Sequence, residues 1–127
     1  MKVIKISEVA KVPKKGDPMF TGKVTMQPVI GDVTKGKKWV GTNIAITQVS
    51  FGRGVRNKFH IHSTEQILIV TRGKGIVTTA KEEKQVGPGD VIFIPAGEKH
   101  WHGAAPGALF SHLYVMPAES EIKQVEK

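Results

Sequence analysis

Five histidines fall between residues 60 and 112, and none lies elsewhere in the 127-residue chain. His60 and His62 flank a single isoleucine, Gln66 follows them, and His100 comes after a Pro95-Ala96-Gly97 turn. Neutral imidazole offers a lone pair near physiological pH and is the commonest metal ligand. Three such rings and an amide oxygen make an N3O set suited to one buried divalent ion. In an extended strand, side chains of equal parity share a face. His60, His62 and Gln66 are therefore expected on one face of one strand, with Glu65 turned elsewhere, and His100 must arrive from a second strand. The chain has no cysteine, so disulfides, zinc–thiolate sites and thiol catalysis are excluded together.

A cage of three imidazoles and an amide carries no charge of its own. A divalent ion in it keeps its full +2, at the cost of weaker affinity for a hard cation. It gains strength as a Lewis acid towards a carbonyl or alkoxide, and it leaves room for an anionic ligand. Manganese, iron, cobalt, nickel and zinc all accept these ligand types. His102 and His112 share the parity of His100 and remain as titratable groups for the same cavity. An imidazole within about 3 Å of a reacting hydroxyl is a competent base at neutral pH. His112 is the first candidate for that catalytic role. His102 is the second, or else a partner that orients a ligand. Phe110, Tyr114 and Met116 have the parity of His112, and Thr47, Val49 and Phe51 offer a further wall. Trp101 covers the mouth or buries at a dimer interface, while Arg53 and Arg56 read as exposed loop residues near the rim.

The elements that must position these groups read as strands punctuated by glycine and proline. Residues 23–30, 42–51, 66–71, 76–80, 91–94 and 108–116 are rich in β-branched or aromatic residues. Pro28 pushes the first of these towards a sheet edge. The 66–71 run is so apolar that burial on both faces is expected. Turns are expected at Lys35-Gly36-Lys37-Lys38 and Gly87-Pro88-Gly89-Asp90, and Arg72-Gly73-Lys74-Gly75 reads as the turn of a hairpin. Residues 119–127 read as a short charged helix or a loose tail. Short strands at close intervals imply an all-β sandwich or small barrel.

Length and composition bound the rest. The chain is expected to be one domain over 1–127, with a motif-bearing core of about 40–116, N-terminal strands within 1–39 and a tail over 117–127. Its net charge of +8 comes mainly from scattered lysines, with arginine only at 53, 56 and 72. Phosphate-reading surfaces favour arginine forks and stacking aromatics, so nucleic acid is not the expected partner. No tract is apolar enough to span a membrane, and no leader pattern begins the chain. The expectation is a cytoplasmic protein that binds a small molecule.

The stretch Gly54-(x5)-His60-x-His62-(x3)-Gln66-(x6)-Gly73 resembles the first motif of the cupin superfamily, and Gly89-(x5)-Pro95-x-Gly97-(x2)-His100 resembles its second. The resemblance implies a jelly-roll β-barrel (a double-stranded β-helix) of six to eight strands. It also implies a metal inside the barrel mouth and a homodimer. Two positions depart from the pattern: Gln66 stands where glutamate is usual and Ala104 where asparagine is. The run from Pro95 to Pro106, with Ser111-His112 and with 66–71, is similar to small bacterial cupins that include the manganese-dependent hydroxynitrile lyases, a group associated with carboxymuconolactone decarboxylases. That likeness implies His60, His62, Gln66 and His100 as ligands, manganese as the preferred metal and His112 as general base, with His102 in the pocket. Asn57 and Met116 stand where the lyases tend to carry threonine and glutamine. Three functions are therefore expected to compete: a Lewis-acid lyase acting on a small oxygenated molecule, an iron-dependent dioxygenase, and a non-catalytic small-molecule or metal-binding module.

Overall fold

In the computed structural model, which describes residues 1–31 and 42–127, the chain is almost entirely strand. The turn expected at Lys35–Lys38 lies outside the described residues. In chain order the strands are β1 (Val12–Pro13), β2 (Val24–Ile30), β3 (Ile44–Phe51), β4 (His60–His62), β5 (Gln66–Gly73) and β6 (Gly75–Thr79). They continue with β7 (Glu83–Val86), β8 (Val91–Ile94), β9 (His100–Ala104), β10 (Phe110–Pro117) and β11 (Ile122–Gln124). A 3₁₀ turn over Ile6–Glu8 precedes them.

Two antiparallel sheets face one another. One runs β1-β2-β3-β10-β5-β8 and the other β11-β4-β9-β6-β7. Alternation explains the packing between them. In β3, Ala45, Thr47, Val49 and Phe51 are buried while the residues between them are not. In β5, Gln66, Leu68 and Val70 are buried and Ile67 and Ile69 only half-buried. The 66–71 strand is thus covered fully on its inner face alone, and its apolar outer face continues onto exposed Val91 and Phe93 of β8.

Phe51 and Phe110 stack at 5.9 Å in the core, with Leu68, Val70 and Ile94 around them. Burying side chains of this size contributes roughly 1.5–3 kcal/mol each. The apolar core runs directly into the histidines: the Phe51 and Phe110 rings lie 5.7 and 5.5 Å from that of His112.

Three local expectations are corrected. Residues 72–75 do not close a hairpin, because β5 pairs with β8 and β10 whereas β6 pairs with β7 and β9. The glycines there carry the chain from one sheet to the other: Gly73 has φ +77°, and a Cβ on it would collide with the Leu109 carbonyl. Residues 119–127 are neither helix nor loose tail, since β11 pairs with β4. Finally, Gln66 does not share a strand with His60 and His62. The chain leaves β4 after His62, bends, and enters the opposite sheet at Gln66.

Candidate metal centre and its cavity

Short-range pinning holds the histidine-bearing strand. β4 is three residues long, too short to define its own position, yet it is fixed on both edges. Ile122 pairs with His62 and Gln124 with His60 on one side, and His60 pairs with His100 on the other. Alternation in β4 and β9 then turns His60, His62, His100 and His102 inward, while Ile61 and Trp101 are only half-buried. The Gly97 N–H donates to the His62 carbonyl at 3.0 Å, which folds the Pro95-Ala96-Gly97 turn back onto β4. The bend after His62 is tied by Glu121 N–H to Ser63 Oγ (2.8 Å) and by Thr64 Oγ1 to Ser120 Oγ (2.7 Å).

One ring nitrogen from each of His60, His62 and His100 lies within 4.8 Å of the others, and all three residues are buried. The three histidines can hold a metal ion. Their hydrogen bonds suit that task. His60 Nδ1 lies 2.6 Å from the Lys58 carbonyl and His100 Nδ1 lies 2.8 Å from the Glu98 carbonyl. A carbonyl only accepts, so each Nδ1 carries the proton and each Nε2 keeps its lone pair, the arrangement in which outer partners orient ligating imidazoles. His100 Nε2, both ring nitrogens of His62 and Gln66 Oε1 are buried with no hydrogen-bond partner. Gln66 Nε2 is 3.9 Å from Met116 Sδ, which leaves the amide oxygen as its free end. These unpartnered lone pairs match the donor set a divalent cation needs.

Electrostatics keep the rings neutral. Burial, then the neighbouring His100, pushes His60 down to about 3, against a partial lift from the Lys58 carbonyl. The same two causes push His62 down to about 4. His100 is lowered by burial, which outweighs the raising effect of Glu98. At neutral pH all three are uncharged, each with one N–H and one lone pair.

A cavity of about 370 Å³ opens beside this cage and includes His60, His62, Gln66, Asn57, His102 and His112 in its wall. His112 Nε2 lies 3.1 Å from His102 Nδ1. Burial lowers both rings, His102 further because His112 and the three cage histidines surround it, and His112 to about 4. All six sequence-chosen residues are thus brought to one region, five of them in the cavity wall. Tyr114, Met116 and Val49 also line the cavity, whereas Phe51 and Phe110 belong to the core. Arg56 is not a free rim charge. Its guanidinium grips Glu126 (2.7 Å) and lies 4.7 Å from the Trp101 ring centroid.

Sequence reasoning missed part of the wall. Met19, Phe20 and Met26 approach from the N-terminal region, and Ser120, Ile122 and Gln124 from the C-terminal one. The even parity of Ile122 and Gln124 was a usable signal, but nothing in the sequence tells which strand β11 joins. A second signal was Gly103, where a Cβ would collide with Arg56 Cα. That close approach lays Asn57 against His102: the Asn57 N–H donates to the His102 carbonyl (3.0 Å), and Asn57 Oδ1 accepts from the His102 N–H (2.8 Å).

Comparison with known proteins agrees with this architecture. A family model described as "Cupin domain" matches residues 48–111. The chain is 37% identical over 100 residues to the (R)-mandelonitrile lyase of Granulicella tundricola, spanning 76% of this chain and 70% of that protein. Among solved structures, a cupin-like protein of Thermotoga maritima superposes with TM-score 0.78 at 28% identity, over 100% of this chain and 90% of the other. The polyketide cyclase RemF of Streptomyces resistomycificus superposes with TM-score 0.81 at 25% identity, over 100% and 87%.

Proposed function

Because the chain belongs to the cupin family, we propose that it is a metal-dependent enzyme acting on a small oxygenated molecule, with cleavage of a cyanohydrin carbon–carbon bond as its most specific form. The observation that carries this reading is the pairing of two neutral histidine sets in one cavity: three that can hold a cation and two that can handle a proton. His60, His62, Gln66 and His100 would hold the ion, with manganese preferred and iron, zinc, nickel or cobalt also compatible. When bound, the ion supplies Lewis acidity to the substrate's oxygen.

The chain's own residues do the rest. The His102–His112 pair takes the hydroxyl proton. The electrons left on oxygen form the carbonyl, and those of the carbon–carbon bond leave with cyanide. The pair then returns the proton to cyanide, completing aldehyde and hydrogen cyanide. Its weak basicity favours that return: a ring pushed to about 4 does not retain a proton at neutral pH. The apolar wall of Val49, Tyr114 and Met116 suits an aromatic or aliphatic substituent. Partition of charge development between preorganised groups in a dry site is where most rate enhancement arises.

The test is release of aldehyde from mandelonitrile by manganese-loaded protein, with activity lost in His112→Ala while metal content is retained. Metal analysis of protein purified without added metal separates this reading from the oxygenase one. Dominant iron, with substrate-dependent uptake of dissolved oxygen, would replace lyase chemistry by dioxygenase chemistry. As partner we infer a second copy of the chain on the outer face of the six-stranded sheet. Val91 and Phe93 of edge strand β8 are 64% and 60% exposed there, more apolar surface than an isolated edge strand usually shows. Light scattering of Phe93→Lys against the parent chain tests it, with a fall to the monomer mass expected.

A further inference from the structure

We propose that Glu126 is a positioning residue for the cage: its carboxylate fastens the C-terminal strand β11 against β4 and so sets how long His60 and His62 retain a bound cation. The inference rests on the reading of His60, His62 and His100 as ligands. β4 has little hold of its own. Among the described residues its register with β9 is the single pair His60–His100. With β11 the whole of it is paired, His62 to Ile122, Ile61 to Lys123 and His60 to Gln124. Two of the three cage rings are therefore held mainly from the C-terminal side.

β11 is itself a three-residue edge strand, and a segment so short and so near the end of the resolved chain frays unless it is tied down. One end is tied to the bend after His62, where the Ser63 N–H donates to the Glu121 carbonyl at 2.9 Å. The other end is tied beyond the strand. The Val125 N–H donates to the Phe59 carbonyl at 2.9 Å, and the Phe59 N–H donates to Glu126 Oε1 at 2.8 Å. The same carboxylate accepts from both arms of the Arg56 guanidinium, at 3.0 and 2.7 Å.

Arg56 makes this tie more than a surface ion pair. Exposed pairs contribute little, whereas a bidentate fork onto a carboxylate is stronger and fixes geometry. The Arg56 backbone bridges Gly103 of β9, and its guanidinium also donates to the Asn57 carbonyl (2.9 Å) and lies 4.7 Å from the Trp101 ring centroid. Trp101 is the neighbour of His100. One carboxylate thus joins β11, the run-in to β4 and the strand that carries the third cage ring. Release of a cation requires those rings to part, which is a local opening rather than global unfolding. Glu126 controls that opening from outside the cavity wall.

Zinc release into a chromogenic chelator, followed by stopped flow on the full chain, tests this. Glu126→Ala should release zinc about tenfold faster, the lower end of the range for outer partners of metal ligands. Val24→Ala truncates a buried residue of β2, in the other sheet. It should lower stability in urea yet leave the release rate within about twofold of wild type, because the opening is local. Linkage supplies a second measurement that needs no variant. If the strand retains zinc, zinc retains the strand, so amide exchange in Ile122–Gln124 should slow about tenfold on adding zinc. The opposite edge of the same sheet, Glu83–Val86, should not change. Release from Glu126→Ala at the wild-type rate, equal acceleration in Val24→Ala, or exchange in Ile122–Gln124 indifferent to zinc overturns the proposal. Should Glu126→Ala fail to fold, the wild-type exchange decides. A wild-type chain that takes up no zinc overturns the cage together with this proposal, whereas bound zinc released without regard to Glu126 overturns the proposal alone.

Discussion

Removing the titration of His112 should flatten the acid side of the stability profile by an amount the structure allows to be worked out. The ring is wholly buried, so screening by water does not dilute the effect. Burial takes it from 6.5 to about 4. At about 1.4 kcal/mol per pH unit, that drop corresponds to roughly 3 kcal/mol. The sign follows from proton counting. Between pH 6.5 and about 4, the unfolded chain binds a proton at this residue and the folded chain does not, so unfolding becomes easier as pH falls. Above 6.5 both states are neutral there and the contribution is fully present. The comparison is urea unfolding of metal-stripped wild type and His112→Phe, which replaces the ring by an apolar one of similar shape. Between pH 7.5 and 4, wild type should lose about 3 kcal/mol more than the variant. The three cage histidines remain in both proteins and their share largely cancels, whereas His102 loses the lowering effect of His112 in the variant, which widens the difference. Equal losses would refute the claim that the fold holds His112 neutral.

Further outcomes follow from other parts of the molecule. His100→Ala removes a cage nitrogen and should weaken binding of manganese or zinc by more than about a hundredfold, beyond the effect of losing an orienting partner alone, as read by chelator competition. Gln66→Glu adds a negative charge beside the ion and should tighten divalent binding at least about tenfold in the same assay, since even a few tenths of the full Coulomb term suffices. Glu126→Ala breaks the grip on Arg56 and on the Phe59 N–H (2.8 Å) that holds the carboxyl down at about 2; amide exchange in Ile122–Gln124 should accelerate while Leu68 and Val70 keep their protection. Phe110→Ala empties the stack on Phe51 and should cost about 3–5 kcal/mol in urea unfolding.

Much of the scaffold was legible because β-branched runs bounded by glycine and proline have few alternatives. Val91–Ile94 appears as a strand with the expected bounds, and β2, β3, β6 and β10 shift by only one or two residues at their ends. What the sequence does not carry is partnership. β7 reads Glu-Lys-Gln-Val and is mostly exposed, so no hydrophobic alternation marks it; it exists because β6 offers an open edge. β11 is invisible for the same reason, its neighbour β4 being only three residues long. The glycine pair at 73 and 75 was read as a hairpin turn and is instead a crossing between sheets, because the two look alike in one dimension.

The site repeats that lesson with a different outcome. Parity placed His60, His62 and Gln66 together for a reason that proves incomplete, since two sheets contribute them; they meet because inward-facing positions of opposed sheets share one interior. Residue type was the stronger signal. A buried polar atom without a partner costs roughly 1–3 kcal/mol, and His62, His100 and Gln66 together present four of them. An interior selected for stability alone would carry valine or leucine at these positions, as it carries Leu68, Val70 and Ile94. Holding three unpaired acceptors and one unpaired N–H beside a cavity, in rings kept neutral by burial, costs stability, as expected of groups kept for a ligand rather than for packing, and that imbalance was already written in the spacing of histidines along the chain.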